Sequence, residues 1–329
     1  MLGSILDSLQ VISLPTKTNF RGVTQREVAL FLGPVGWAEF SPFLEYSPDE
    51  SVPWLVSAIE SAYAAPPLPL RKSIEINATL PAVNDRAQVK EIISWYPGCK
   101  TIKVKVGEDS AADLQRIRLV KDLAPEMQIR LDVNGGWTVD QATAFLLQIY
   151  REVGEIEYVE QPCATIEELR ALKAALPNEI LIAGDEIIRK SDNPFGVDLV
   201  GVVDLLVLKV APLGGIKRCH EIASYFGLPV VVSSALESAI GISYGLKLAA
   251  TLPTLPHANG LGTGALLSAD VATLAIKAGE IEVGTFSPSI DSLAKYAVEA
   301  ERLAWWRERI SQTWLAGARS WVEREGWLL

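Results

Sequence analysis

Histidine and cysteine are scarce in this 329-residue chain, which holds two of the first and three of the second. Cys99, Cys163 and Cys219 are widely spaced, form no CxxC and show no Cys/His metal spacing, so neither a disulfide framework nor a zinc site is expected. An odd number of lone thiols suits a reducing cytoplasm. His220 falls in the helical run KRCHEIASYF and His257 in a loop after Pro256, so structural roles are expected for both. Positive charge is also short: 30 Lys+Arg against 40 Asp+Glu give a formal charge of -10, which argues against nucleic acid or a membrane as partner. Long apolar runs are missing too. The most apolar stretch, residues 195–215, is interrupted by Asp198, Asp204 and Lys209, and MLGSILDSLQ has neither a basic start nor a sustained apolar run, so no spanning or export segment is expected.

What is present suffices for a large folded body. Hydrophobic residues make up 49% and charged residues 21%, enough to bury a sizeable core without disulfides. The first 45 residues alternate short β-like runs with turn signals (LQVISLP, TKTNFRG, REVALFLGP, VGWAEFSPF), which reads as an antiparallel meander. Ser47-Pro48-Asp49-Glu50 then supplies an N-cap, a proline at the first helical position and acidic residues in the first turn. It opens a helix through Val56, Ile59 and Tyr63 that ends before Pro66-Pro67.

From Ile74 the rhythm changes to short apolar runs, each followed by a segment with helical spacing: SIEINA, TIKVKVG, IRLDVNG, IEYVEQP, ILIAGDE, VDLLVLKV, PVVVSSA and ANGLGTG. Thr165-Ile-Glu-Glu168 reads as a capping box and Thr138 as a second cap. Eight such units predict an α/β chain with a closed parallel barrel. After about residue 283 the rhythm stops and a tail begins that carries Trp305, Trp306, Trp314, Trp321 and Trp327, expected to act as packing anchors.

Each run ends on a polar residue at a nearly constant interval: Asn77, Lys105, Asp132, Glu160, Asp185, Lys209 and Ser233. Residues at one height on successive barrel strands recur once per βα unit, and such barrels do their chemistry at the C-terminal ends of the strands. These side chains therefore converge on one mouth. The two-residue period of a strand puts Lys103 with Lys105, and Arg130 with Asp132 and Asn134, on the inward face. Asp132, Glu160 and Asp185 form an all-oxygen set of the kind favoured by Mg²⁺, with Mn²⁺ equally suited. A substrate carboxylate beside such a metal would have its developing charge stabilised when the neighbouring carbon loses a proton. Lys105 and Lys209 flank the carboxylates from opposite sides, and Lys103 is a cationic neighbour able to lower the pKa of the base.

A KxK on the second strand, then Asp, Glu, Asp and Lys on the next four, resembles the muconate-lactonizing-enzyme subgroup of the enolase superfamily, a Lys-base, metal-assisted system. The resemblance implies a (β/α)7β TIM-like barrel over residues 74–283. It also implies an α+β capping domain built from residues 1–73 and completed by a helical tail, 284–329. It makes Lys105 the general base and acid, Lys209 the opposing lysine, and Asp132, Glu160 and Asp185 the metal ligands. Within the subgroup, Phe20-Arg21-Gly22, IRLDVN, SSALESAIG from Ser233 and GLGTG from Gly260 are similar to a dehydratase branch whose substrate is a small dicarboxylate. Donors for its second carboxylate are expected from Ser233, Ser234, the backbone near Gly262 and Thr263, or Arg130, with Asn134 also facing the ligand. Arg130 reads equally well as an internal ion-pair partner. Phe20 to Arg26 would form a lid or a plain turn. Racemases, dipeptide epimerases and cycloisomerases of the same subgroup use the same two lysines, although the DxD expected of a dipeptide epimerase is replaced here by GLGTG.

Overall fold

Short β-rich runs punctuated by helices build two layers in the computed structural model, which describes residues 1–20 and 22–327. A helix over Leu2–Asp7, which the meander reading does not contain, precedes a three-stranded antiparallel sheet of β1 (Gln10–Phe20), β2 (Val23–Leu32) and β3 (Trp37–Phe40). The two runs LQVISLP and TKTNF supply one strand, Gln10–Phe20, not two, whose pairing with β2 shifts register between Pro15 and Phe20. At the hairpin end Gly22, at φ +78, donates its N–H to Asn19 Oδ1 at 2.8 Å.

The helix Pro48–Tyr63 forms as its sequence dictates. Ser47 Oγ accepts from Glu50 N at 3.3 Å while Glu50 Oε2 accepts from Ser47 N at 2.9 Å, a complete capping box. Its apolar face, with Trp54, Leu55 and Ile59, shares one core with Phe31 and Phe40 of the sheet. Two C-terminal helices, Ala300–Thr313 and Arg319–Glu325, and the turn Trp314–Ala318 that joins them close that core with Trp306, Ile310, Trp314 and Val322. Trp306 is wholly buried and donates its indole N–H to Glu27 Oε2 at 2.7 Å, so the tail is stapled to the sheet by packing and by a satisfied polar tip.

SIEINA divides between two sheets. Its first half is β4 (Ser73–Glu75) and its continuation is β5 (Ala78–Leu80). There follow β6 (Thr101–Lys105), β7 (Gln128–Asp132), β8 (Tyr158–Glu160), β9 (Ile182–Gly184), β10 (Leu205–Lys209) and β11 (Val230–Ser233), and β5 to β11 lie in sequential order in one curled parallel sheet. A final strand, β12 (Glu280–Glu282), pairs antiparallel with β4 outside it. Helices follow most of these strands, so the outward residues, such as Ile102 and Val104 of β6, join one continuous core with helical residues such as Ile117, Phe145 and Leu169.

ANGLGTG does not become an eighth full strand. Asn259 bridges in parallel to Ile76 and Gly260 to Ser233, with Asn77 N donating to Asn259 O and Gly260 N to Val232 O, both near 2.9 Å. Two residues thus join the sheet's edges. Glycine explains both the closeness and the brevity: a Cβ at 260 would stand 2.5 Å from Ser233 Oγ, and one at 262 would meet Ile76 Cδ1 at 2.9 Å. Inside the sheet Tyr158, Ala183, Leu205, Val207 and Val231 form an apolar plug, and the polar residues stand above it. Among the described residues no helix is long and apolar enough to cross a membrane.

Candidate active site

The parallel register sets the site. Lys105 is beside Asp132 and Asp132 beside Glu160, while Lys209 is beside Ser233. Asp185 is the first residue after β9, at the start of a single helical turn. The strands thus deliver a row running from Lys105 through three carboxylates to Lys209.

Ion pairs hold the row together. Lys103 Nζ is 3.2 Å from both oxygens of Glu160 and 3.2 Å from Asp132 Oδ2, and Lys105 Nζ is 3.7 Å from Asp132 Oδ1. Lys209 Nζ donates to Asp185 Oδ2, and Arg189 Nε donates to Asp185 Oδ1 at 3.1 Å. Burial separates the lysines: the Lys105 side chain is 20% exposed and that of Lys209 only 5%. Lys105 is therefore the more open of the two to a ligand arriving from the mouth.

The electrostatics follow from this crowding. Burial pushes the Glu160 carboxyl up to about 7, with Asp132 adding to the rise against the pull of Lys103. Burial acts on Asp185 in the same direction, but Lys209 and Arg189 outweigh it and hold that carboxyl below its ordinary value. Burial alone would lower Lys103, yet Asp132 and Glu160 overcome it and raise the ammonium above its ordinary value. Lys103 thus stays charged and clamps two carboxylates besides being a cationic neighbour.

The oxygen donors fit a hard divalent cation. Asp132, Glu160 and Asp185 are buried oxygen donors delivered by successive βα units, the donor chemistry a hard divalent cation takes, and a nearby cation would favour the ionised form of Glu160 against its burial. Among the described residues no three His, Cys, Asp or Glu side chains stand close enough together to grip a metal as placed. The carboxylates are turned onto ammonium groups instead, Asp132 and Glu160 onto Lys103 and Asp185 onto Lys209.

Residues 11–62 match the family described as enolase N-terminal domain-like, and residues 85–285 the one described as enolase C-terminal domain-like. The curated o-succinylbenzoate synthases of Mycobacterium ulcerans and Mycobacterium tuberculosis are 48% and 46% identical to this chain over 313 residues, covering 94% of both chains in each case. The chain belongs to the o-succinylbenzoate synthase family of the enolase superfamily. It is an enzyme, a hydro-lyase like its relatives. The fold is shared more widely. Muconate lactonizing enzyme from Pseudomonas putida superposes with a TM-score of 0.72 at 19% identity, over 88% of this chain and 98% of that one. The L-Ala-D/L-Glu epimerase from Bacillus subtilis gives 0.71 at 22% identity, over 85% and 96%.

Within this enolase-superfamily barrel the remaining candidates scatter. Arg130 is fully buried below the row. It donates to Glu157 Oε2 and Oε1 at 2.6 and 3.0 Å, to Asn77 Oδ1 at 3.0 Å and to Ala258 O at 2.7 Å, and lies over the Tyr158 ring. Of its two readings the ion-pair one describes this placement; the substrate reading is corrected, because the side chain is fully buried and all three guanidinium nitrogens already donate to protein acceptors. His257 hydrogen-bonds the same Glu157 at 2.6 Å and His220 meets Thr251 Oγ1 at 2.7 Å. Asn134, at φ 52, donates to Glu186 Oε1 at 3.0 Å, so it ties the loop after β7 to the turn after β9.

On the β11 side, Ser234 Oγ donates to Gly260 O at 2.6 Å and lies 2.8 Å from Thr263 Oγ1. Ser233 is buried level with Lys209, whereas Gly262 is pressed against Ile76, Asn77 and Tyr96. Phe20 sits at the hairpin end beside the cluster containing Leu236 and Leu267, and Arg21 lies outside the described residues. Two residues escaped sequence reasoning. Gln161 Oε1 accepts from Asp185 N at 3.0 Å and Ile187 N at 3.2 Å, and Arg189 grips both Asp185 and Glu186. The i,i+4 spacing of Arg189 from Asp185 was the available signal.

Proposed function

We propose that this site removes water from 2-succinyl-6-hydroxy-2,4-cyclohexadiene-1-carboxylate to give 2-succinylbenzoate, a step of menaquinone biosynthesis. The observation that carries the reading is the row itself: a half-open Lys105 at one end, three buried carboxylates, and a buried Lys209 at the other. Lys105, as the neutral amine, takes the proton on the carbon alpha to the ring carboxylate. As the ammonium it returns that proton to the departing hydroxyl; the C–O bond breaks, water leaves and the ring becomes aromatic. Lys209 places a fixed positive charge at the far end of the row, where it opposes the negative charge gathered on the carboxylate in between.

Asp132, Glu160 and Asp185 would hold Mg²⁺, or Mn²⁺, which when bound adds positive charge where the carboxylate becomes electron-rich. Lys103, as the ammonium bridging Asp132 and Glu160, holds both carboxylates in orientation. Ser233, with Ser234 and Thr263 behind it, is the proposed contact for the succinyl carboxylate. Three free, buried cysteines suit work in a reducing cytoplasm.

The test is dehydration followed by ultraviolet absorbance with Mg²⁺, run beside an N-succinylamino-acid racemisation assay. Expected are fast, EDTA-sensitive aromatisation and a loss on the order of 10³-fold or more in kcat for Lys105→Ala with its fold intact. Activity on both substrates would make Lys209 a second proton carrier. No dehydration by the wild type sinks the assignment.

A further inference from the structure

The loop between β11 and the helix Ala239–Thr251 carries Ser234 at the mouth, and the N-terminal sheet holds its other end. Arg26 of β2 is 2% exposed. It donates from Nε to Leu236 O at 3.0 Å and from Nη2 to Ala235 O at 3.5 Å and to Ser41 O, with Phe43 stacked on its guanidinium. Glu39 of β3, also buried, accepts from Ser238 N and Gly241 N at 3.1 and 3.0 Å and from the hydroxyls of Ser238 and Ser41. Two side chains of one sheet therefore pin successive backbone groups of residues 235–241 in another layer.

The loop needs that grip. Leu236 sits at φ 64, a left-handed conformation that costs a branched, non-glycine residue free energy and persists only where surroundings enforce it. Its carbonyl is the acceptor of Arg26 Nε. On the opposite side Ser234 is tied to Gly260 O and Thr263, so the segment is fixed at both ends.

We infer that Arg26 and Glu39, far along the chain from the lysines and carboxylates of the row, are positioning residues that set the β11 loop, and with it Ser233 and Ser234, for the substrate's second carboxylate. This rests on the dehydratase reading of the site. A loosened loop loses binding shared by ground and transition states, so KM rises while kcat holds.

The experiment compares wild type, Glu39→Gln and Arg26→Ala by dehydration kinetics and by amide hydrogen exchange over residues 234–241, at saturating Mg²⁺. Gln at 39 turns an amide onto N–H donors, so this milder variant keeps the inference testable if Arg26→Ala fails to fold. Expected in Glu39→Gln are a rise in KM of about tenfold, kcat within about threefold of wild type, and faster exchange confined to the loop. A folded Glu39→Gln with faster loop exchange but unchanged KM overturns the inference and leaves the pair merely structural; so does a fall in kcat alone. A wild type that does not dehydrate overturns the activity reading instead, which separates the two failures.

Discussion

Asp132, Glu160 and Asp185 carry the same kind of group, yet their surroundings divide them: Glu160 is pushed up to about 7 while Asp185, beside Lys209 and Arg189, is held down. Residue type alone supplied an oxygen-rich set; which member resists ionisation depends on who stands next to it. The same holds away from the row. Buried Glu237 and half-buried Asp270, near Glu39 where the β11 loop enters its helix, are each pushed up to about 7 by desolvation, Glu39 adding to both and Arg26 pulling back on Glu237. A carboxyl raised in the folded state contributes stability that is complete below its unfolded value near 4.5 and is lost as pH rises through about 7. The Tm of wild type relative to Glu237→Gln is therefore expected to fall between about pH 5 and 8 in a thermal melt series. A pH-independent difference would show that the cluster does not titrate there. Glu157 works in the opposite sense. Burial raises it, but hydrogen bonds from His257 and Arg130 prevail and hold it at about 2, so its contribution is present above 4.5 and lost as pH falls through about 2.

Elements formed where local chemistry was unambiguous. Ser47 with Glu50, Thr138 with Gln141 and Thr165 with Glu168 each close a capping box, because hydroxyl and carboxyl or amide stand three residues apart before an apolar periodicity. Replacing Ser47 with Ala removes one half of the box on the helix that backs the N-terminal sheet. The expected cost is about 1 kcal/mol, read as a Tm lower by roughly 2 °C with activity retained, and an unchanged Tm would mean that packing alone holds the helix start. Short strands were harder. SIEINA reads as one strand, but Ile76 N donates to Gly279 O while Asn77 N donates to Asn259 O, so the partner changes between adjacent residues. ANGLGTG reads as an eighth strand, but its glycines bring backbone against Ser233 and Ile76 and leave room for only two bridges. Neither outcome is written in periodicity, since both depend on which chain arrives alongside.

At the scale of the molecule the helical tail and the N-terminal sheet share one core, and the barrel mouth lies where that sheet's polar residues reach the β11 loop. Divalent cation binding should be visible at this scale. A metal held by the row stabilises the folded state by mass action, about 2.7 kcal/mol at a hundredfold excess over Kd, so Tm should climb with Mg²⁺ in wild type and much less in Asp132→Asn. A wild-type Tm indifferent to Mg²⁺ would remove the metal from the proposal.

The row of Lys105, Asp132, Glu160, Asp185 and Lys209 was legible in sequence because a parallel barrel repeats once per βα unit, and a repeat leaves its interval in the chain. Arg130 shows the limit: its two readings had equal standing until Glu157, Asn77 and Ala258 were seen to surround it. Sequence alone determined which residues recur at one height, since that follows from local period. Only the tertiary structure decided which of them pair, which are sealed below the mouth, and that Arg26 and Glu39 reach across layers to residues 235–241, because such contacts join segments some 200 positions apart that no local pattern connects.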